Sequence, residues 1–281
     1  MIPRCTCILL ALTLLATAQG APPAQNPASG LSNSATAQIN QSANAQKARA
    51  VLEQAIQALG GPAYLSVKDF EQEGRSYAYS HGEPSSMGTL FWRYWQWPDR
   101  ERIEFTKQRD VVVIHVGDKG YEITYKGTAE EEPSAHTDYL RRQKHSLDLV
   151  LRKWFSDPST AFFYDGPAVA EQKPTDSVTL MQGDDAVTLF IDSHTHLPIK
   201  KTFQWRDPTD RQKNDEAEVY DGYRLEQGLM TPHSIIRSHN GDIVNQRFIT
   251  SVKYNVGFPE SMFQATVTYD PYKFERKKDK Q

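Results

Sequence analysis

The densest grouping of side chains able to do chemistry is Asp192-Ser193-His194-Thr195-His196. A His-x-His spacing is how some metal-dependent hydrolases begin a metal site. In those enzymes the pair ends the first strand of a βα-barrel, and later strands supply further His and Asp ligands. Here the pair lies mid-chain, just before Leu197-Pro198, and His233 and His239 follow as isolated residues. Two imidazoles in an exposed turn are ordinarily solvated, so no metal is expected.

Other routes to catalysis lack their residues. The chain has no Gly-x-Ser-x-Gly nucleophile elbow and no phosphate-cradling Gly-rich loop. Asp184-Asp185 and Glu130-Glu131-Glu132 read as loop charges with no fixed separation for acid–base work. His81-Gly82 reads as a turn. No catalytic residue and no cofactor is expected. The formal charge is −3, with Lys and Arg scattered along the strands, so nucleic acid is a poor partner.

The elements that must position any site begin after an export signal over residues 1–20. Arg4 supplies a positive start, Ile8 to Leu15 an apolar stretch, and Ala16-Thr17-Ala18 or Ala18-Gln19-Gly20 a cleavage site. The apolar stretch is too short to span a bilayer comfortably. Cys5 and Cys7 precede it, so cleavage would discard both thiols and leave a soluble, periplasmic chain without disulfides. Residues 21–45, rich in Ala, Pro, Ser, Asn and Gln, are expected to be a disordered leader, and residues 265–281 a polar, frayed tail. One domain is expected over residues 46–264.

Ala48, Val51, Leu52, Ala55, Ile56 and Leu59 recur at three- and four-residue steps and predict a helix that stops at Gly60-Gly61. The period then switches to two. Strands are expected over 67–79, 88–97, 100–107, 111–116 and 120–126, with Gly117-Asp118-Lys119-Gly120 as a hairpin turn. Residues 134–155 carry helical spacing, with Ser134 as the expected N-cap. Strand patterns resume over 176–182, 186–192, 198–206, 215–226, 231–239 and 243–255. Roughly ten strands with short turns favour a barrel or sandwich.

This order of elements resembles the outer-membrane lipoprotein-sorting family, the LolA/LolB-like fold. Asp192 to Lys200, with its Thr195 and Leu197-Pro198, is similar to that family's strand–turn–strand. Tyr220-Asp221-Gly222-Tyr223, then Gly228 and Pro232, is similar to its following passage. Val252-Lys253-Tyr254-Asn255, with Phe258 and Phe263, resembles its terminal strand. The resemblance runs from about Ala48 to Phe263. It implies a mainly β fold with few helices: an incomplete antiparallel barrel, or half-barrel, wrapped over a helical lid. It further implies a periplasmic carrier sheltering acyl chains of lipoproteins or lipids in an apolar cavity, with an envelope membrane protein as a possible partner. An envelope interaction or sensor module of the same shape is the alternative. The best-known carrier uses an Arg to govern release; Arg93 and Arg102 lie on comparable strands, and neither matches it.

An acyl carrier needs one apolar sheet face curved around a void. Alternation nominates Leu90, Trp92 and Tyr94, Ile103 and Phe105, Val112 and Ile114, Leu189 and Ile191, and Phe203 and Trp205 as lipid-binding residues. The segment Leu90 to Trp97 is aromatic on both faces, where a half-solvated strand would have one polar face.

Overall fold

The structure is a computed structural model that describes residues 32–85 and 87–271. The expected export signal, the leader through residue 31 and the tail beyond residue 271 lie outside them. No described helix is long and apolar enough to cross a membrane.

Two helices open the described chain, α1 (Asn33–Asn40) and α2 (Ala43–Leu59), and the short α3 (Pro62–Leu65) follows. Ser32 and Ser42 cap α1 and α2 by accepting from the amides of Ala35 and Ala45. Gly60, at φ 134°, ends α2 in a conformation that side chains resist. The helix predicted from Ala48 therefore starts earlier, inside the expected leader.

The first run of strands is β1 (Asp69–Ser80), β2 (Glu83–Pro84), β3 (Thr89–Gln96), β4 (Arg100–Phe105), β5 (Val111–Val116), β6 (Lys119–Thr124) and β7 (Gly127–Glu130). Helices α4 (Pro133–Lys144) and α5 (Leu147–Leu149) come next, continued by a π-helical turn over Val150–Trp154. The second run is β8 (Ala161–Ala170), β9 (Lys173–Gln182), β10 (Asp185–Asp192), β11 (Pro198–Arg206) and β12 (Lys213–Asp221). A small ribbon of β13 (Arg224–Glu226) and β14 (Leu229–Thr231) precedes β15 (Ser234–His239) and β16 (Asp242–Tyr254).

All strands except the ribbon form one 14-stranded antiparallel sheet, ordered β7-β6-β5-β4-β3-β1-β16-β15-β12-β11-β10-β9-β8, with β2 added beside β1. The sheet does not close into a barrel, as the half-barrel expectation requires. Its two meanders are joined at the centre, where β1 pairs with β16. The apolar face of α2 packs with the π-helical turn onto β8–β11, burying Leu52, Leu151, Phe162, Leu180 and Leu189.

Each free edge is met in part by other segments, which limits pairing with other chains there. The Asn40 and Asn44 side chains pair with the β8 backbone as a neighbouring strand would. Asn40 donates to Thr160 O at 2.8 Å, and Asn44 donates to Tyr164 O at 2.8 Å and accepts from Tyr164 N at 2.9 Å. At the opposite edge Thr268 N donates to Thr128 O, and Thr128 N donates to Thr268 Oγ1, each at 2.8 Å. Residues 32–45 of the expected leader are thus ordered, and so is the start of the expected tail. Polar backbone pairing holds them, which a search for large apolar residues does not detect.

Strands β2, β7, β8 and β14 are additional to those expected, and the expected strand 215–226 is split into β12 and β13. β8 was hidden by Asp165-Gly166-Pro167, which an edge strand tolerates, and its register shifts between Tyr164 and Gly166. β7 overlaps the expected Glu130–Glu132 loop only at Glu130. The mid-chain helix is also broken, at His145-Ser146. Ser146 is extended (ψ 149°) and caps Leu149 N, while the buried His145 ring stacks on Phe203 at 4.2 Å.

Candidate functional site

Between the inner face of the sheet and the α4–α5 segment lies a cavity of ≈ 440 Å³. Its apolar wall comes from Val67, Phe70, Phe91, Trp95, Ile103, Phe105 and Ile235 on or beside the sheet, with Leu229 from the ribbon. Leu59 and Tyr64 close one side, and Tyr139, Arg142, Gln143, Leu147 and Asp148 form the cover. Phe70 and Trp95 stack at 5.0 Å in this wall.

The cover is tied down at several points. Arg152 donates to the carbonyls of Leu65 and Val67 at 3.0 and 2.8 Å, and Tyr64 donates to Asp148 at 3.0 Å. Lys144 pairs with Asp185.

Of the residues nominated from sequence, Ile103 and Phe105 line the cavity. In β3 the lining residues are Phe91, Arg93 and Trp95, one register step from Leu90, Trp92 and Tyr94. In β5 they are Val113 and His115, one step from Val112 and Ile114. A strand apolar on both faces offers alternation nothing to choose between. The outer face is covered by the chain after β16: Tyr94 meets Phe258 edge-on at 5.6 Å, and a 3-10 turn at Glu260–Phe263 packs on β4 and β5. Leu189, Ile191 and Phe203 belong to the solid core under α2, and Trp205 packs beside it. Arg141 stacks over Trp205 at 3.4 Å.

Half of the lining is polar, which hydrophobic alternation could not reveal. One group spans β3, β4 and β5. Arg93 donates to Glu101 at 2.5 Å, and His115 Nδ1 lies 3.5 Å from the same carboxylate. His115 Nε2 and His136 Nδ1 both meet Glu131 Oε2, at 2.9 and 3.0 Å, and the His136 Nε2 faces Asp118 O at 2.7 Å. These three ligand-type atoms lie within 4.8 Å of one another, so His115, Glu131 and His136 are the described residues placed to hold a cation. His194 and His196, the pair their spacing singles out, are not among them. His194 is exposed in the Asp192 turn, where Asp192 Oδ1 accepts from the amides of His194 and Thr195. Arg102 sits on the other face of β4, bonded to Glu104 at 2.7 Å.

A second polar group spans β11 to β16. Lys201, 1% exposed, pairs with Glu218 at 2.9 Å, and Tyr220 donates to Glu218 at 2.6 Å. Arg237 and Arg247 line the cavity on the next two strands.

Two carboxyls are held far below their usual range. Burial alone would raise Glu101, but Arg93 and then His115 outweigh it and bring it to about 2. Burial likewise opposes Glu218, and Lys201 with Tyr220 brings it to about 2. Burial disfavours the His115 cation, yet Glu101 and Glu131 together raise its pKa above 6.5. The stability contributed by the depressed carboxyls is complete above 4.5 and is lost as pH falls toward about 2. That from His115 is complete below 6.5 and is lost as pH rises through its raised value. Urea unfolding followed against pH should therefore show an acid limb below about 4.5 from these carboxyls and an alkaline limb above about 6.5 from His115. Glu101→Gln should shallow the acid limb and His115→Asn the alkaline one; limbs unchanged in both variants would refute this assignment.

An open antiparallel sheet curved around a cavity under a helical cover is the LolA-like fold. No protein-family model matches the sequence, and neither does any curated protein. Among solved structures, the chain is similar to a DUF1329 family protein from Desulfovibrio piger. The match has TM-score 0.54 and 12% identity, covering 77% of this chain and 97% of that one. It is also similar to a domain from Vibrio parahaemolyticus named for outer-membrane lipoprotein sorting. That match has TM-score 0.52 and 10% identity, covering 79% of this chain and 97% of that one.

Proposed function

We propose that this protein is a non-enzymatic carrier of the bacterial envelope that shelters acyl chains of lipids or lipoproteins in its cavity. The observation that carries this reading is the hollow between sheet and cover, walled by Phe70, Phe91, Trp95, Ile103 and Phe105. Its ≈ 440 Å³ falls within the roughly 300–1,000 Å³ usual for small-molecule sites. Each methylene moved into such a wall gains about 0.8 kcal/mol, so a ~16-carbon chain offers on the order of 12 kcal/mol before ordering costs. The export-type segment at residues 1–20 supports a periplasmic location, and the fold shared with the Vibrio domain supports lipoproteins among the cargoes.

Protein purified from an envelope fraction should release fatty acyl species on solvent extraction, detected by mass spectrometry. Ile103→Trp should fill the hollow, keep the wild-type circular dichroism spectrum and lose at least tenfold of the bound acyl material. Extracts free of acyl species, together with no binding of a fluorescent fatty acid, would defeat the reading.

A further inference from the structure

We infer that Arg142, Arg237 and Arg247 form a seat for an anionic group, a carboxylate or phosphate, at the polar side of the cavity. As the head of an amphiphile this group would deepen the acyl-carrier reading and rest on it.

All three arginines line the cavity. Arg142 reaches it from α4, and Arg237 and Arg247 from the paired strands β15 and β16, where Arg237 stands opposite Asn245 and Arg247 opposite Ile235. Among the described residues none of the three forms an ion pair, donates a side-chain hydrogen bond or stacks on a ring. Arg237 Nε is buried with no partner.

The carboxylates nearby are occupied. Glu218, directly across from Arg237, is held by Lys201 and Tyr220. Glu216 meets His239 at 3.0 Å, Glu101 is held by Arg93, and Asp148 accepts from Tyr64. Asn245 spends its amide on Ser76 and the Tyr77 carbonyl.

The three guanidinium groups are half-buried, and charges of one sign brought together there are costly unless an anion meets them. Burial, and then the nearby Arg142, pull the Arg237 pKa down to about 10, outweighing the upward pull of Glu218. A guanidinium fork matches the two oxygens of a carboxylate or phosphate, whereas a neutral ester offers no charge to complete the set.

The test uses delipidated protein and three probes: palmitate, methyl palmitate and inorganic phosphate. Wild type should prefer palmitate over its methyl ester by ten- to a hundredfold, the range of a charge-assisted hydrogen bond. The Arg237→Met/Arg247→Met double variant should bind the ester as before and prefer palmitate by less than about threefold. It should fold at least as stably as wild type without ligand, because like charges are removed; Arg142→Gln is the milder companion variant.

If phosphate alone raises the wild-type melting temperature but not that of the double variant, the seat stands and takes the free ion. Equal binding of palmitate and ester to wild type, with no phosphate effect, overturns the seat while leaving the acyl cavity intact. Failure of both lipids with phosphate stabilisation preserved would leave the seat and remove the carrier reading.

Discussion

Replacing Glu218 with leucine should cost about 3–5 kcal/mol of stability, the usual penalty for stripping one partner from a buried ion pair. Lys201 is its direct cross-strand neighbour, only 1% exposed, and its ammonium would be left without a carboxylate. Tyr220 would lose its acceptor as well. The double variant Lys201→Met/Glu218→Leu removes both charges and should recover most of the loss, because a well-packed apolar pair often matches or exceeds a buried salt bridge. Urea denaturation of the two single variants and the double gives the coupling directly. A Glu218→Leu penalty below about 1 kcal/mol would mean that Lys201 reaches water, and the buried-pair description would be abandoned.

Gly74→Ala should be nearly as severe, for a steric reason. Gly74 lies on β1 at the seam joining the two meanders, opposite Ile249 of β16 and Phe91 of β3. A Cβ there would sit 2.1 Å from the Phe248 carbonyl oxygen, a backbone atom that cannot swing aside. The register shifts at Glu73/Gly74, and this bulge brings the two backbones together. The variant must therefore pry β1 from β16, at a cost at or above the upper end of the about 1–3 kcal/mol typical of overpacking. Hydrogen exchange should show lost protection along both strands. An alanine variant with the wild-type unfolding midpoint would show that the seam is looser than the structure has it.

Much of the chain's organisation can be read locally. The period of three to four in Ala48 to Leu59 defines the body of α2, and Gly60 its end. Gly117-Asp118 joins β5 to β6 as expected, and the Asp192 to Pro198 turn joins β10 to β11. Those features depend on residues a few positions apart. The segment around Asn40 and Asn44 shows the limit: its order comes from amides reaching β8, 120 residues away.

The site was harder to read than the fold. Ile103 and Phe105 were recognised because Arg102 and Glu104 mark the other face of β4. In β3, aromatics fill both faces, since Phe258 and the turn after it cover the outer one, and no local pattern separates wall from backing. His115 and Glu131 carry no motif, and Arg237 and Arg247 look like ordinary solvated charges on alternating strands.

By itself the sequence determined a mainly antiparallel β chain with helices at its start and middle, since hydrophobic period and turn chemistry act over short distances. Only the tertiary structure decided which sheet face is hollow and which charges share it. Those outcomes depend on β1 pairing with β16, which places Ser76 beside Arg247. Contacts so far apart in sequence leave no periodic trace, and the physics that selects them is the burial and pairing of groups brought together by folding.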